Sequence, residues 1–284
     1  MIEAIKTEQE VKIQYALWHQ WNAREYLKTY FDALGQDSYE NLKFLVKTFK
    51  KYKNKPKQKI LDFGSGPTIF SGLVVAPYAS EIHMCDYLDT NLSEIRDWLK
   101  SNVNAYDWKH VLKHILELEN EEISNENIAR RELLVKKNTT RLDLCDASLP
   151  APLGRHDKYP IVISNFCPDS ATCSKEMWKF YMENISNLVA PSGLLVIAAL
   201  RNCSFYKINN HFFPCANINE VDLFTTLQNC GFKDINVEAC SVPKCANEGF
   251  TSVMFSSAIK KTNEDLARSI GKKSSFANIK KLRN

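Results

Sequence analysis

The spacing of hydrophobic residues along the chain changes at about residue 58. Up to that point it follows a helical repeat, as at Leu42, Leu45 and Phe49, which stand at i, i+3 and i+7. The helix-breaking segment Asn54-Lys55-Pro56 ends this region. Short apolar runs of β type then alternate with stretches of helical period. This alternation is typical of an α/β fold with a mostly parallel sheet and helices on both faces.

Seven apolar runs are strand candidates. They cover residues 59–63, 81–85, 141–144, 160–165, 194–200, 235–242 and 252–260. Helix candidates lie at 69–78, 92–100, 174–189 and 220–229. No helix candidate separates the last two strands, so we expect the final strand to add antiparallel at or near an edge of the sheet. The charged stretch 108–137 is expected to be an excursion with one or two helices.

Length, composition and charge favour one domain with a short tail. With 284 residues, 44% of them hydrophobic, the chain is long enough for one large core. We expect a single domain over residues 1–261, comprising a helical cover (1–58) and an α/β core (59–261), and a basic tail (262–284) that is disordered or a surface helix. The net charge of +4 arises after residue 259, so the domain itself lacks the basic surface of a nucleic-acid groove.

Targeting signals and cysteine pairing are not evident in the sequence. No apolar run approaches the ~20 residues of a membrane span, and residues 1–10 are too polar for a signal peptide, so a cytoplasmic location is expected. The nine cysteines are odd in number and include no Cys-x-x-Cys pair, which favours free thiols. The six histidines have no metal-ligand spacing, so no metal is expected.

The turn after the first strand candidate has the composition of a ligand-binding loop. It reads DFGSGPT at residues 62–68, and ligands bind at the carboxyl ends of parallel strands. Gly64 and Gly66 permit a tight turn and a close approach to a ligand, and Asp62 either braces this turn or contacts the ligand. A dinucleotide fingerprint needs a third glycine where Ile69 stands, and the Gly-Lys-Ser/Thr of a Walker loop is absent. The loop therefore offers no cradle for a pyrophosphate.

The ends of the next strand candidates carry the chemistry of an adenosine site. Asp86 follows the glycines by about twenty residues, where a carboxylate can accept ribose hydroxyls. Asn91 can support that contact or cap a helix together with Glu94. Asp143 and Leu144 supply one acceptor for an exocyclic amine and one apolar surface for a purine ring. Together with the short glycine turn, these residues predict S-adenosylmethionine as the cofactor.

Short segments spread over residues 15–261 match the motifs of one family. They read NAREYL at 22–27, DFGSGPTIF at 62–70, DY at 86–87, NL at 91–92, WL at 98–99, AYDW at 105–108, PLG at 152–154, PSG at 191–193 and NEG at 247–249. With them the chain resembles the small-molecule N-methyltransferases that act on nicotinamide, phenylethanolamine and indolethylamine. The resemblance implies a Rossmann-like class I methyltransferase fold with a seven-stranded, mostly parallel sheet.

The resemblance also implies which residues hold the cofactor. Tyr26 matches a tyrosine of the cover that closes over cofactor and acceptor. Phe31 and Phe70 stand where the family has tyrosines, the first of which contacts the methionine carboxylate, and Asn165 replaces a hydroxyl residue beside the methionine. The full implied set is Tyr26, Phe31, Gly64, Ser65, Gly66, Thr68, Phe70, Asp86, Tyr87, Asn91, Asp143, Leu144 and Asn165.

The acceptor residues implied by the resemblance depart from the family pattern. Asp169 matches the acid after the fourth strand that anchors the acceptor, although it can also cap a helix starting near Ser170. Ala199 stands where the nicotinamide enzymes have an aspartate. The implied substrate set is Tyr26, Asp169, Ala199, Cys203, Tyr206 and Cys215, with Asp169 and Tyr26 as the catalytic pair.

The reaction that the resemblance implies is a direct displacement. An uncharged nitrogen of a small amine or pyridine-type acceptor takes the methyl group of S-adenosylmethionine, which leaves as S-adenosylhomocysteine, with no metal and no covalent intermediate. A monomer without nucleic-acid or membrane partners is expected. Two alternatives remain open: a cofactor-binding pseudoenzyme, since Ala199, Phe31 and Phe70 lack the family's polar groups, and a methyltransferase recruited to a macromolecule by its basic tail.

Overall fold

A seven-stranded sheet organises the fold. The structure, a computed structural model, describes residues 15–243, 249–265 and 267. The strands are β1 (Gln58–Phe63), β2 (Ala79–Asp86), β3 (Thr139–Leu144), β4 (Tyr159–Asn165), β5 (Val189–Leu200), β8 (Phe232–Ser241) and β9 (Ser252–Lys260), with a separate hairpin of β6 (Phe205–Ile208) and β7 (His211–Pro214). The order across the sheet is β3-β2-β1-β4-β5-β9-β8.

Helices cover both faces of this sheet. They are α1 (Ala23–Phe31), α2 (Gln36–Lys50), α3 (Phe70–Val75), α4 (Asp89–Leu99), α5 (Lys109–Glu119), α6 (Asn125–Asn138), α7 (Lys175–Ser186) and α8 (Glu220–Asn229). The predicted excursion is present as α5 and α6. Within the described ranges, no helix is both long and apolar enough to cross a membrane.

Strand directions confirm the predicted sheet. The five strands β3, β2, β1, β4 and β5 run parallel, and β9 lies antiparallel between β5 and the edge strand β8. The seven strand candidates of the sequence are all in the sheet, with bounds that differ by a few residues. The hairpin of β6 and β7 was not among them, because its strands have only four residues each.

The two faces of the central strands bury different side chains. Along β5, Val196 and Leu200 face the layer that contains α2, α3 and α5. The alternate residues Ile197 and Ala199 face the layer of α7 and α8. Every one of these four side chains is buried, as expected for a parallel sheet with two covered faces.

The N-terminal helices have different positions. In α2, Leu42, Leu45 and Phe49 are fully buried, and Phe44 stacks on Phe255 of β9 with ring centroids 5.1 Å apart. This helix therefore belongs to the layer on the sheet, whereas α1 lies nearer to α4 and the hairpin. The single-domain boundary at residue 261 stays a prediction, because residues 1–14 and 244–248, including Asn247 and Glu248, and most of the tail lie outside the described residues.

Candidate active site

A cavity of about 310 Å³ lies beside the carboxyl ends of β1, β2 and β4. Parallel strands bring these ends to one edge of the sheet, which is where α/β proteins bind ligands. The cavity is lined by Trp18, Trp21, Tyr26, Tyr30, Phe31, Asp37, Ser38, Asn41, Asp62, Phe63, Gly64, Ser65, Gly66, Thr68, Phe70, Asp86, Tyr87, Leu88, Asn91, Cys145, Asp146, Ala147, Ser148, Asn165, Phe166, Cys167, Ser170, Ala171, Tyr181, Leu200, Tyr206 and Phe250.

The glycine turn is fixed to β2 by backbone hydrogen bonds. The amides of Gly64 and Ser65 both donate to the carbonyl oxygen of Cys85, at 2.9 and 3.0 Å. Gly64 and Gly66 have φ angles of +70° and +61°, a region that residues with a Cβ rarely adopt. The turn therefore holds its backbone against the cavity, where a side chain would fill the space.

The Asp86 carboxylate is the most heavily bonded side chain of the cavity. Its Oδ2 accepts from the Gly66 amide at 2.8 Å, and its Oδ1 accepts from the Leu88 amide and from Asn91 Nδ2, each at 2.9 Å. Asn91 in turn accepts from Trp21 Nε1 at 2.8 Å. A carboxylate has about four acceptor positions, so one remains for a ligand hydroxyl. Asn91 is inside α4, whose N-cap is Leu88, so the predicted capping role is wrong.

The predicted adenine pair, Asp143 and Leu144, does not line the cavity. The Asp143 carboxylate accepts from Arg155 Nη2 at 2.7 Å, and the Leu144 side chain is 58% exposed. Both residues are still in β3, and the chain enters the cavity only after that strand ends. Asp146 and Ala147 repeat the acid–apolar pair three residues later, on the cavity wall. The sequence contained this repeated pair, but only the end of the strand decides which copy faces the cavity.

We predict that Asp146→Ala lowers the affinity for S-adenosylhomocysteine by about 10-fold, since it removes one hydrogen bond to the adenine amine. Asp146 now accepts from the amide and hydroxyl of Ser148, at 2.8 and 2.6 Å, so its carboxylate is already oriented. The matched control Asp143→Ala should change the affinity by less than twofold in the same calorimetric titration. The opposite ranking of the two variants would place the adenine site at the end of β3.

Asp62 is a buried acid at the end of β1. It is 2% exposed, and its Oδ2 has no hydrogen-bond partner within the described residues. Burial raises the pKa of Asp62 to about 7, although the Ser71 hydroxyl opposes this shift. An acid in this state is suited to accept a hydrogen bond from a charged donor that enters the cavity.

This raised pKa predicts a dependence of stability on pH. Between about pH 4 and 7 the native state keeps a proton on Asp62 that the unfolded chain releases. The contribution of Asp62 to the free energy of unfolding therefore falls as pH rises through this range. The variant Asp62→Asn should be about as stable as wild type at pH 4 and about 2–4 kcal/mol more stable above pH 7. Urea unfolding of the ligand-free proteins at several pH values measures this difference.

The control for that experiment is Asp157→Asn. Arg155 lowers the pKa of Asp157, so the stability that this carboxylate contributes is complete above the ordinary aspartate pKa of about 4. The cost of replacing Asp157 should therefore stay constant from about pH 5 upward, whereas the effect of Asp62→Asn changes with pH. If Asp62→Asn instead gives the same stability difference at every pH, the Asp62 carboxylate has an ordinary pKa.

Asp169 is buried behind the cavity wall and does not line it. Its Oδ2 accepts from the Leu200 amide at 2.8 Å, its carbonyl oxygen accepts from the Ala216 amide at 2.8 Å, and burial raises its pKa to about 7. The cap of α7 is Ser174, so Asp169 is not the predicted helix cap either. The residue joins the end of β5 to the segment after the hairpin.

Of the other residues predicted to bind the acceptor, some line the cavity and some do not. Tyr206 lines the cavity, but Ala199, Cys203 and Cys215 do not. Ala199 faces α7 and α8 because side chains alternate along β5, so its neighbour Leu200 reaches the cavity instead. Cys203 and Cys215 are 0% and 2% exposed and lie behind the wall.

Five aromatic side chains on the cavity wall form a group that we call the aromatic chamber: Trp18, Trp21, Tyr26, Tyr30 and Tyr206. Within it, the Tyr26 ring is 5.0 Å from Trp21 and 5.1 Å from Tyr30. Burial, together with the charge of Asp37, raises the pKa of Tyr26, so its hydroxyl stays protonated. Of these five residues, only Tyr26 and Tyr206 were predicted from the sequence. The two tryptophans precede α1, in a segment without strong periodicity.

The cavity fits S-adenosylmethionine by the chemistry of its walls. Asp86 retains an acceptor position for a ribose, Asp146 and Ala147 suit an adenine, and the glycine turn allows close approach. Asp62, Asn165 and Asn41 each present a buried oxygen without a hydrogen-bond partner among the described residues. No group of three or more metal-ligating side chains occurs in the described ranges.

Comparison with known proteins identifies relatives over most of the chain. A model of the NNMT/PNMT/TEMT family matches residues 10–261. Nicotinamide N-methyltransferase of Homo sapiens is 27% identical over 82% of this chain and 92% of its own length. Indolethylamine N-methyltransferase of Oryctolagus cuniculus is 29% identical over 74% of this chain and 81% of its own, and phenylethanolamine N-methyltransferase of Bos taurus is 28% identical over 61% and 62%.

Solved structures share the fold at lower identity. Magnesium protoporphyrin IX methyltransferase from Synechocystis, solved with bound SAH, has a TM-score of 0.53 and 12% identity over 84% of this chain and 94% of that one. The Burkholderia thailandensis 1,6-didemethyltoxoflavin-N1-methyltransferase has a TM-score of 0.50 and 13% identity over 84% and 87%.

Proposed function

We infer that this chain, which belongs to the NNMT/PNMT/TEMT family, holds S-adenosylmethionine against Asp86 and the glycine turn and a small aromatic nitrogen compound against the aromatic chamber. The chain is an S-adenosylmethionine-dependent N-methyltransferase, as its sequence predicted. The proposal concerns the residues that perform the reaction and the class of acceptor.

The observation that carries the proposal is that two chemically different groups of residues line one cavity and meet within it. Asp86, the glycine turn and Asp146 provide fixed acceptors and close backbone. The aromatic chamber provides flat apolar walls beside them, with Trp21 bonded to Asn91 and Tyr26 among the rings. Such walls suit a planar ring better than an aliphatic chain.

The mechanism is one of positioning. The bound cofactor supplies an activated methyl group on its sulfonium. Asp86 and the glycine turn orient the adenosine, while Trp21, held by Asn91, and Tyr26 exclude water from the chamber. Holding two reactants near contact distance contributes up to ~7–11 kcal/mol. Asp169 supports this geometry through Leu200, which it fixes at the chamber wall, and not through direct contact with the acceptor.

The aromatic chamber favours an acceptor that is neutral before the reaction and positively charged after it. The chamber itself consists of aromatic rings, and Asp37 is the acid of the cavity wall whose charge acts most strongly on Tyr26 within it. Aromatic faces stabilise a cation by ~0.5–2 kcal/mol each when water is excluded. A pyridine-type nitrogen or an indolethylamine in its free-base form therefore fits, and a catechol amine that needs several acids does not.

A methyl-transfer screen tests this function. Pyridines, indolethylamines, phenylethylamines and thiols are incubated with S-adenosylmethionine, and formation of S-adenosylhomocysteine is measured. We expect the fastest turnover with pyridines or indolethylamines, and none from Asp86→Ala at the same cofactor concentration. Tight cofactor binding without methylation of any compound would support the pseudoenzyme alternative. Salt-sensitive nucleic-acid binding that is lost on deleting residues 262–284 would support the macromolecular one.

We also propose that the protein is a cytoplasmic monomer without nucleic-acid or membrane partners. The eight described cysteines are free thiols, which is usual in a reducing compartment. Light scattering during size-exclusion chromatography should give the 32.6 kDa of one chain. A mass near twice this value would contradict the monomer.

A further inference from the structure

We propose that Asn41, on α2, binds the α-ammonium group of the cofactor's methionine, together with Asp62 and Asn165. The proposal rests on the proposed function, since it needs S-adenosylmethionine in the cavity. It adds a binding residue outside the strand-end motifs and outside the residues that the family resemblance implies.

Three buried oxygens without partners line the same cavity. They are Asn41 Oδ1 on α2, Asp62 Oδ2 at the end of β1 and Asn165 Oδ1 at the end of β4. Asn41 and Asp62 are only 1% and 2% exposed, so water does not readily satisfy them. Buried polar atoms without partners are rare in proteins and call for an explanation such as a ligand.

Asn41 has no structural role that explains its place on α2. Its neighbours on the buried face of the helix, Leu42 and Leu45, are fully buried apolar residues. Asn41 Oδ1 has no hydrogen-bond partner among the described residues, whereas the buried Asn138 side chain donates to the carbonyl oxygens of Ala76 and Ala79.

The two partner residues lie together beside the start of α3. Asn165 Nδ2 donates to Ser71 Oγ at 2.9 Å, and the Ser71 hydroxyl also bonds to Asp62. These contacts leave Asn165 Oδ1 and Asp62 Oδ2 free to accept. Helix α2 packs against α3, and Asn41 lines the same cavity as these two residues.

The acidic side chains on the cavity wall favour a positively charged ligand group. Four acids line it, Asp37, Asp62, Asp86 and Asp146, and none of the residues that line it is Lys, Arg or His. A primary ammonium group carries three N–H donors, which match the three oxygens in number. Phe31 and Phe70, whose rings are 5.6 Å apart at the same end, offer no hydrogen-bonding group, so the polar contacts must come from α2 and the strand ends.

The experiment compares three ligands by calorimetry with wild type and Asn41→Leu, a change of similar volume. The ligands are S-adenosylhomocysteine, its decarboxylated analogue, which keeps the amine, and 5′-methylthioadenosine, which lacks it. We expect about a 10-fold loss of affinity for the first two ligands and less than a twofold change for the third. Equal losses for all three ligands, or no loss for any, would overturn the proposal.

A second readout separates binding from packing. Because Asn41→Leu removes an unpartnered polar group, the ligand-free variant should melt at the same or a higher temperature than wild type. A lower melting temperature would indicate a structural role and contradict the proposal. Asn41→Ala repeats the ligand comparison in a smaller side chain if the leucine does not fit.

The matched control is Thr48→Val, which changes another buried polar residue of α2 outside the cavity. It should bind all three ligands as wild type does. If wild type itself fails to bind S-adenosylhomocysteine, the proposed function fails and this inference with it. If wild type binds and Asn41→Leu binds equally well, only the inference fails.

Discussion

Replacing Asp86 by alanine is expected to lower the affinity for S-adenosylhomocysteine by at least 100-fold. The substitution removes the carboxylate together with its expected hydrogen bond to the ribose. Charge-assisted hydrogen bonds are worth about 1.5–3 kcal/mol each. In addition, the amides of Gly66 and Leu88 and the side chain of Asn91 would lose their common acceptor. The glycine turn would then no longer be held in the shape that the cofactor needs. Calorimetric titration of the variant measures the affinity.

The control for this prediction is Asp89→Ala, three residues further along the chain. The Asp89 side chain is 66% exposed and pairs with Arg96 on the surface, so its loss should leave the affinity within twofold. Cofactor affinity that survives in Asp86→Ala would mean that the carboxylate serves the protein backbone alone and that the ribose is bound elsewhere.

Gly64→Ala is expected to destabilise the fold by at least ~3 kcal/mol and to abolish cofactor binding. A Cβ at this position would lie 2.0 Å from Cys167 Sγ and 2.6 Å from Cys167 Cβ. The φ of +70° adds a penalty of about 1 kcal/mol for any residue with a side chain, and overpacking of this kind costs 1–3 kcal/mol or more. Urea unfolding of the purified variant measures the loss.

Gly154→Ala is the matched control, because it separates backbone conformation from crowding. Gly154 has a similar φ of +66°, but nothing lies within 4 Å of its added Cβ. It should cost only about 1 kcal/mol. In the Gly64→Ala background, Cys167→Gly should recover part of the stability because it removes both crowded atoms. Equal losses for the two glycine variants would show that the end of β4 does not approach the glycine turn this closely.

The class of fold and the position of the cofactor loop were predictable from the order of amino acids alone. Alternating apolar runs and helical periods are local properties, so the seven strands and most helices could be located before any tertiary contact was known. The glycine turn at residues 62–68 and Asp86 were also predictable from the sequence. A tight turn with positive φ requires glycine, and a charged residue at the end of a buried strand indicates a partner there, either a ligand or a backbone amide. The family resemblance added the cofactor and the type of reaction.

Which side of each segment meets the cavity depends on tertiary contacts and was not predictable from local patterns. Strand β3 ends at Leu144, so Asp146 and not Asp143 lines the cavity, and the alternation along β5 turns Ala199 away from it. Asn41 was not visible in the sequence because an asparagine within a helical repeat carries no signal of its own. It is a candidate ligand residue only in the folded protein, where α2 packs on α3 and the Asn41 oxygen is buried in the cavity wall. Local patterns fix elements through short-range sterics and periodicity, whereas the end of a strand and the facing of a helix depend on contacts between residues far apart in the chain.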